Sequence, residues 1–484
     1  RRRSGILAGA AGGVVAAVVA VVATLAVASD PAPTTTVPTI PTTTRATTTT
    51  TTLPPVAERV LPTPNLEDFI GQGLWEYRGG PGHNAVVDTD GVADLGGIFW
   101  RVNTNDTVDA SPVVRGRSVF VGSASSDLYL INTFQADRGG VTTLLPGTVT
   151  APIKTSVTFG DIEVEGPPAL NLNDSNSAST PTVEKIPILV FAQDGGTVTA
   201  VVSTNRRVRW TSRLPDEVIA APLLVGNYAY VGVADGYLYA IDATTQGSAG
   251  WQWRYPAEEP DQPLAPVVAS PAYADGKVVV VRSDGTFSVV DALTGEEVCS
   301  RRTSGFEGVN VGVGPVIRSG SIYLGGDDGG IWVHNLDDCL LDVNFNIDVP
   351  VETMPVIDGN WLYVAQDRIM MAVNLSNFGD RKYAESAGGS IKGSPVVAGD
   401  VVYFGSDDGC LYAVDAATAP PEEGSAVRTA LTARWTYCTD GRIQSSPAIL
   451  TGMVIFSSQD GYIYAVGEAP AGMTYTGEGW VPDG

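Results

Sequence analysis

Along residues 393–418 the chain reads GSPVVAGDVVYFGSDDGCLYAVDAAT: a proline, an apolar run, Asp-Gly, a second apolar run, and a closing acidic residue. The phrase recurs. Anchored on their prolines, the copies fall at Pro112, Pro181, Pro222, Pro271, Pro315, Pro355, Pro395 and Pro447. In six of them an Asp-Gly pair ends fourteen residues later: Asp194-Gly195, Asp235-Gly236, Asp284-Gly285, Asp328-Gly329, Asp408-Gly409 and Asp460-Gly461. The first copy has Ser126 in the glycine slot, and the sixth is irregular around AQDRIMM.

Runs such as VVYFGS and CLYAVD on either side of Asp-Gly read as two strands of a hairpin, with both central turn residues expected at φ > 0. The second run usually closes on Asp or Asn (Asn132, Asp242, Asp291, Asn335, Asn374, Asp415), whose side chain can bond the backbone two residues on and start the next turn. Each repeat is therefore four antiparallel strands. The runs are apolar on both faces, as a sheet covered on both sides requires. Repeats of about 40–50 residues stacked radially predict an all-β, eight-bladed β-propeller. The last copy stops at DGYIYAVGEAP without a fourth run, whereas GIFWRVN (97–103) precedes the first proline. That stretch is expected to close the ring and remove its open edges.

What precedes the repeats is different in kind. Residues 4–29 carry no charge and follow Arg1, Arg2 and Arg3, which predicts a transmembrane helix (4–29) with a cytoplasmic basic flank (1–3). A signal peptide cleaved after Ala26-Val27-Ala28 is the rival reading. Residues 30–65 are almost wholly Thr and Pro, a disordered stalk, extended and open to O-glycosylation. Residues 66–484 form the propeller. These elements place the chain in the cell membrane as a single-pass protein, N-terminus cytoplasmic and propeller extracellular.

A net charge of −24 repels phosphate backbones, so nucleic acid is not an expected partner. An extracellular setting permits disulfides among the four cysteines. Cys410 opens a third strand and Cys438 closes the fourth of the same repeat, which sets them opposite each other and predicts a bridge. For Cys299 and Cys339, which follow third strands in adjacent blades, the pairing stays open. None of the four has metal-ligand spacing.

The repeat phrase, with Trp100, Trp210, Trp253 and Trp435 arriving in fourth strands and the opening stretch GLWEYRGGPGHNAVV (73–87), resembles the pyrroloquinoline-quinone-like (PQQ-like) propeller repeat of the quinoprotein alcohol dehydrogenase-like superfamily. The resemblance runs from Trp75 to Ala469. It implies three kinds of protein: quinoprotein dehydrogenases with the quinone and Ca²⁺ on the propeller axis, scaffolds such as the lipoprotein of the outer-membrane barrel-assembly machinery, and sensor ectodomains joined by one helix to Ser/Thr kinases. The enzymes' expected adjacent Cys-Cys pair is not in this sequence. Asp88 and Asp90 in VVDTDGVAD do not complete a Ca²⁺ loop. His83 and His334 stand alone, and Ser111, Ser270, Ser394 and Ser446 before the prolines occupy a small-residue slot shared with Thr180, Ala221, Gly314 and Met354. The four tryptophans read as blade-docking residues. Extra length between Asn132 and Pro181 reads as a surface loop suited to binding.

The resulting expectation is a non-catalytic, membrane-tethered binding, scaffold or sensor module. It docks a protein or small-molecule ligand at a propeller face, contacts the membrane only through 4–29, has no catalytic or metal residues and needs no cofactor. The alternatives are a PQQ-dependent dehydrogenase, which alone would bring PQQ and calcium, and the ectodomain of a receptor kinase.

Overall fold

The computed structural model describes residues 74–75, 81–89, 91–133, 141–144, 149, 151–153, 155–166, 182–302, 313–417, 430–468, 473–475 and 480–482. They belong to one compact unit, Thr49–Gly484. The predicted helix 4–29 and stalk 30–65 lie outside them. Among the described residues no helix is long and apolar enough to cross a membrane.

Eight antiparallel sheets follow one another along the chain. Blade 7 shows the pattern: an innermost strand Val396–Ala398, then Val401–Gly405, Cys410–Asp415 and an outermost strand Ala433–Cys438. Innermost strands are short, three residues in seven of the eight blades, and the strands behind them lengthen. The last blade takes its outermost strand from the N-terminal side. Gly97–Asn103 pairs antiparallel with Tyr462–Gly467, Trp100 facing Ala465, so the ring closes as the sequence predicts. Backbone that would end in an open edge is thereby paired.

The Asp-Gly turns differ from the expected two-residue hairpin. Only the glycine is left-handed: φ lies between 79° and 87° at Gly195, Gly236, Gly285, Gly329, Gly409 and Gly461, while none of the six aspartates has positive φ. The loops are longer than two residues. Gly409 N–H donates to Ser406 O (3.1 Å) and Ser406 N–H to Cys410 O (3.0 Å), a turn followed by one left-handed residue before the strand resumes. Keeping Asp right-handed frees its carboxylate to cap the strand. Asp235, Asp284, Asp328, Asp408 and Asp460 each accept the N–H two residues on, at 2.8–3.0 Å. The second carboxylate oxygen takes a phenol four residues on in three blades: Tyr239 to Asp235 (2.7 Å), Tyr412 to Asp408 (2.6 Å) and Tyr464 to Asp460 (2.7 Å). A Cβ at Gly409 would come within 2.8 Å of Gly441 O, so the glycine also lets the next loop approach. Ser126 (φ 68°) and Asp367 (φ 52°) adopt the left-handed conformation in the two irregular copies.

The blades dock through one recurring position. Trp210, Trp253, Trp435 and Trp100 each face an alanine on the neighbouring third strand: Ala200, Ala240, Ala413 and Ala465. The small partner leaves room for the indole. Trp210 Nε1–H then reaches the following blade at Ala243 O (3.1 Å), Trp253 lies against Gly295 of the following blade, and Trp435 Nε1–H donates to Val92 O (2.8 Å). In blade 4 the same position holds Cys299, facing Val289, and its disulfide partner Cys339 sits in the turn of blade 5. Gly295 and Cys339 are equivalent: each donates its N–H four residues back, to Asp291 O and Asn335 O, at positive φ. A covalent staple thus replaces the indole between blades 4 and 5. Closing a loop of 40 residues, it stabilises the ring by about 4 kcal/mol on chain-entropy grounds. The second disulfide, Cys410–Cys438, joins directly opposed residues within blade 7.

Pro181 does not open the second blade. Its innermost strand is Thr158–Gly166, preceded by Ser156-Val157, and Thr182–Gln193 is the second strand, paired along its length with the first. Within the expected surface loop, Thr158–Gly166 is therefore a strand of the blade, and 167–181 lie outside the described residues. Val157 stands where other blades have proline, which hid the copy.

Trp210 is fully buried, and its removal leaves a cavity between two blades. Trp210→Ala is expected to lower the unfolding free energy by about 3–5 kcal/mol, read from urea denaturation of the full chain.

Candidate functional site: a closed axis and a polarised rim

The innermost strands face the ring axis, and the residue before each begins a set of blade-to-blade bonds. Ser111 N–H donates to Ser156 Oγ (3.1 Å), Ala221 N–H to Ser270 Oγ (3.1 Å), Met354 N–H to Ser394 Oγ (3.0 Å), Ser394 N–H to Ser446 Oγ (3.2 Å) and Ser446 N–H to Ser111 Oγ (2.9 Å). These hydroxyls accept the backbone of the preceding blade. The slot is small because the axis is crowded: a Cβ at Gly314 would lie 2.7 Å from Met354 Cε and 3.0 Å from Ser270 O. Ser156 belongs to this set, and Thr180 lies outside the described residues.

On the side away from the Asp-Gly turns, the chain's own opening segment runs along the axial side of the inner strands of blades 4 to 7. Pro81 O accepts Tyr273 N–H (2.7 Å) of blade 4 and Gly82 O accepts Ile317 N–H (2.8 Å) of blade 5. Asn84 pairs with blade 6 through both amide atoms, accepting Ile357 N–H (2.8 Å) and donating to Ile357 O (2.9 Å). Ala85 O accepts Val397 N–H (3.0 Å), and Val86–Val87 then add a short parallel strand to blade 7. Leu74–Trp75 pair with blade 1. Inner-strand amides of four consecutive blades, unpaired on their axial side by the sheet itself, are satisfied by one crossing segment. His83 lies in it, 2% exposed, with Nδ1 3.7 Å from where a Cβ of Gly314 would stand. His83 is thus part of the floor.

On the opposite side, three residues before each innermost-strand proline, the positions form a rim whose chemistry differs from blade to blade. Blades 6, 7, 8 and 1 contribute Glu352, Lys392, Gln444 and Asp109; blades 3 and 4 contribute Ile219 and Val268. The polar half is linked. Lys392 Nζ donates to Glu352 (2.5 Å), Gln444 Nε2 to Asp407 (2.7 Å), and Gln459 Nε2 to both Asp109 (2.8 Å) and Gln444 (3.1 Å). Reading the repeat for its likenesses missed these residues; the signal is that this position varies while its neighbours recur. A separate cleft of about 480 Å³ lies by blade 2, floored by Ile186, Pro187, Val202 and Val208 and edged by Arg207 and Gln246.

The other singled-out residues have structural partners. Asp242, Asp291, Asn335 and Asn374 accept the N–H two residues on and form the expected Asx turns. Backbone N–H donors of Thr294 and Leu293 hold the Asp291 carboxyl below the usual carboxylate range. Burial and the neighbouring aspartates push the phenols of Tyr239, Tyr412 and Tyr464 well above theirs. Asp88 sits at an exposed bend, and Asp90 lies outside the described residues. Among the described residues no three His, Cys, Asp or Glu side chains gather to hold a metal.

The group the resemblance associates with the axis is the quinone, with adjacent cysteines and acidic Ca²⁺ ligands around it. The residues present do not fit it. The cysteines form two separate bridges, Cys299–Cys339 and Cys410–Cys438, and Pro81–Val87 lines the axial side of blades 4 to 7.

Radial four-stranded blades docked by a tryptophan on an alanine define a PQQ-like repeat propeller. A family model described as outer membrane protein assembly factor BamB matches residues 170–337 and, overlapping, 253–420, together more than half of the chain. The chain belongs to this family. Among solved structures it is similar to BamB from Moraxella catarrhalis, at 15% identity and TM-score 0.53, covering 77% of this chain and 99% of that one. It is also similar to the quinohemoprotein alcohol dehydrogenase from Comamonas testosteroni, at 12% identity and TM-score 0.58, covering 82% and 81%. The computationally designed Ika8 protein matches at 15% identity and TM-score 0.55, covering 77% and 100%. An assembly factor, an oxidoreductase and a design share the architecture, so these likenesses fix the fold alone. No curated protein matches the chain.

His334 is fully buried, its Nδ1–H donating to Cys339 O (3.1 Å) beside the blade 4–5 staple. Burial, then the nearby Arg301, lowers its pKa. The unfolded chain therefore binds the extra proton first, and stability is present above the ordinary histidine pKa and lost as pH falls through it. Between pH 7.5 and 5.5 the unfolding free energy should drop more steeply in the wild type than in His334→Gln, measured by urea titration at each pH. Equal slopes would place the proton elsewhere.

Proposed function

We propose that the propeller is a non-catalytic binding module, tethered to a membrane and held outside the cell, that receives a protein partner at the polarised rim. The observation that carries this reading is the lining of the axial side by Pro81–Val87, bonded in turn to the inner strands of blades 4 to 7. With that segment lining the axis, the rim presents a hydrogen-bonded polar arc at blades 6, 7, 8 and 1 and the apolar Ile219 and Val268 at blades 3 and 4. Such a surface suits docking, where an apolar centre supplies burial and polar groups fix orientation. Membership of a family described as an assembly factor supports a protein as the partner. The uncharged run 4–29, the Thr/Pro stretch 30–65 and two disulfides with no free cysteine among the described residues support the anchored, oxidising setting.

Calorimetric titration of pyrroloquinoline quinone into the full chain, with and without Ca²⁺, separates this from a dehydrogenase. The expected result is no saturable heat and no dye reduction with simple alcohols or sugars. Saturable, Ca²⁺-dependent binding with turnover would overturn it.

A further inference from the structure

The outermost strand of blade 4, Glu297–Arg302, reads EVCSRR, and every residue in it except Cys299 is exposed. It stands at the edge of its sheet, and among the described residues nothing pairs with its outer side. Blade 2 covers the corresponding edge with Gly247–Ser248, and blade 6 bridges its own at Tyr383 to Ala430. An unpaired edge is a template for another strand, and proteins usually blunt it with charge of one sign or with proline. This edge has no proline and carries both signs, Glu297 at one end and Arg301-Arg302 at the other. It is the only one of the eight outermost strands that does.

Exposed apolar residues collect at the same place. Seven large hydrophobic residues stand well exposed among those described, and four of them flank the Cys299–Cys339 staple: Leu293 (69%), Val298 (41%), Leu340 (51%) and Leu341 (43%). Val298 is turned out by a bulge, the register passing from Val289–Cys299 to Val290–Glu297. The disulfide ties this strand to the blade 5 turn, and the Lys277–Asp337 ion pair (2.9 Å) ties the second strand of blade 4 to the same turn, so the edge is held in place before any partner arrives.

We propose that Glu297–Arg302 pairs antiparallel with the same strand of a second copy of this chain, about a twofold axis, joining two blade 4 sheets into one. In the register that centres the axis on Ser300, the bulge sets Glu297 and Val298 together opposite Arg302 of the other copy, twice. A strand of one sign would repel its own copy; this one complements itself only in the antiparallel sense. The leucines and Val298 of both copies border the junction and supply the apolar burial.

The test uses the full chain in detergent, with mass read by sedimentation equilibrium. The wild type should be a dimer at micromolar concentration. Arg302→Glu and Glu297→Arg each set like charges opposite each other and should each weaken self-association about tenfold or more. Arg302→Glu gives up only an exposed bond to Asp284 O and should melt close to the wild type, whereas Glu297→Arg also loses the Tyr255 hydroxyl and should melt lower. Mixing the two variants in equal amounts restores both pairs, so a heterodimer should form. A monomeric wild type, an undiminished Arg302→Glu dimer, or variants that stay monomeric when mixed would overturn the proposal.

Discussion

A ring of sheets leaves two sets of backbone groups that no blade can satisfy for itself: the outer edge of the final blade and the axial side of the innermost strands. In this chain one N-terminal stretch serves both. Pro81–Val87 takes up the inner amides of blades 4 to 7, and Gly97–Asn103, only nine residues further on, completes blade 8. Between them Val92 accepts the Trp435 indole and the Tyr403 hydroxyl, packing blade 7 against the closing strand. Because unsatisfied buried backbone is costly, this stretch is the element on which ring closure and the closed axis both depend.

Around it, blade-to-blade docking is one geometric solution met with several side chains. The fourth-strand position carries an indole where the third strand offers alanine, a lysine in blade 6, where Lys382 Nζ reaches Ala417 O (3.1 Å), and half of a disulfide in blade 4. Trp210, Trp253, Lys382 and Cys299 reach the same turn of the following blade, and Trp435 reaches Val92 instead. The core is accordingly distributed between blades, its largest cluster running through blades 6, 7, 8 and 1 with Tyr363, Tyr403, Phe456 and Trp100. Stability shared over repeated contacts leaves the rim free to vary, and the rim is where the blades differ: Lys392 and Glu352 on one side, Ile219 and Val268 on the other.

The fold was legible because its physics repeats. Apolar runs punctuated by proline and Asp-Gly state the strand count, and the missing fourth run after Tyr462 together with GIFWRVN states how the ring closes. The Cys410–Cys438 bridge follows from the register of one hairpin. Less local facts were hidden. Val157 stands in a proline slot, so the second blade was mis-anchored on Pro181. Nothing in GPGHNAVV marks it as an axial floor, because its partners, Tyr273, Ile317, Ile357 and Val397, are backbone groups spread over more than a hundred residues. The Cys299–Cys339 staple needed the equivalence of Cys299 with the docking tryptophans, which only strand register supplies. The rim escaped because a search for repeats discards the positions that do not repeat.

Native-state hydrogen exchange tests the axial floor most directly. The amides of Tyr273, Ile317, Ile357 and Val397 point from inner strands towards the axis and donate to Pro81, Gly82, Asn84 and Ala85. With the floor in place they should exchange only by the slow opening that exposes the sheets as a whole, and Gly82→Pro should speed Ile317 and Val397 selectively by disturbing the crossing. If these four amides exchange as fast as exposed loop amides in the wild type, the segment does not occupy the axis, and the closed-ring account of binding fails with it.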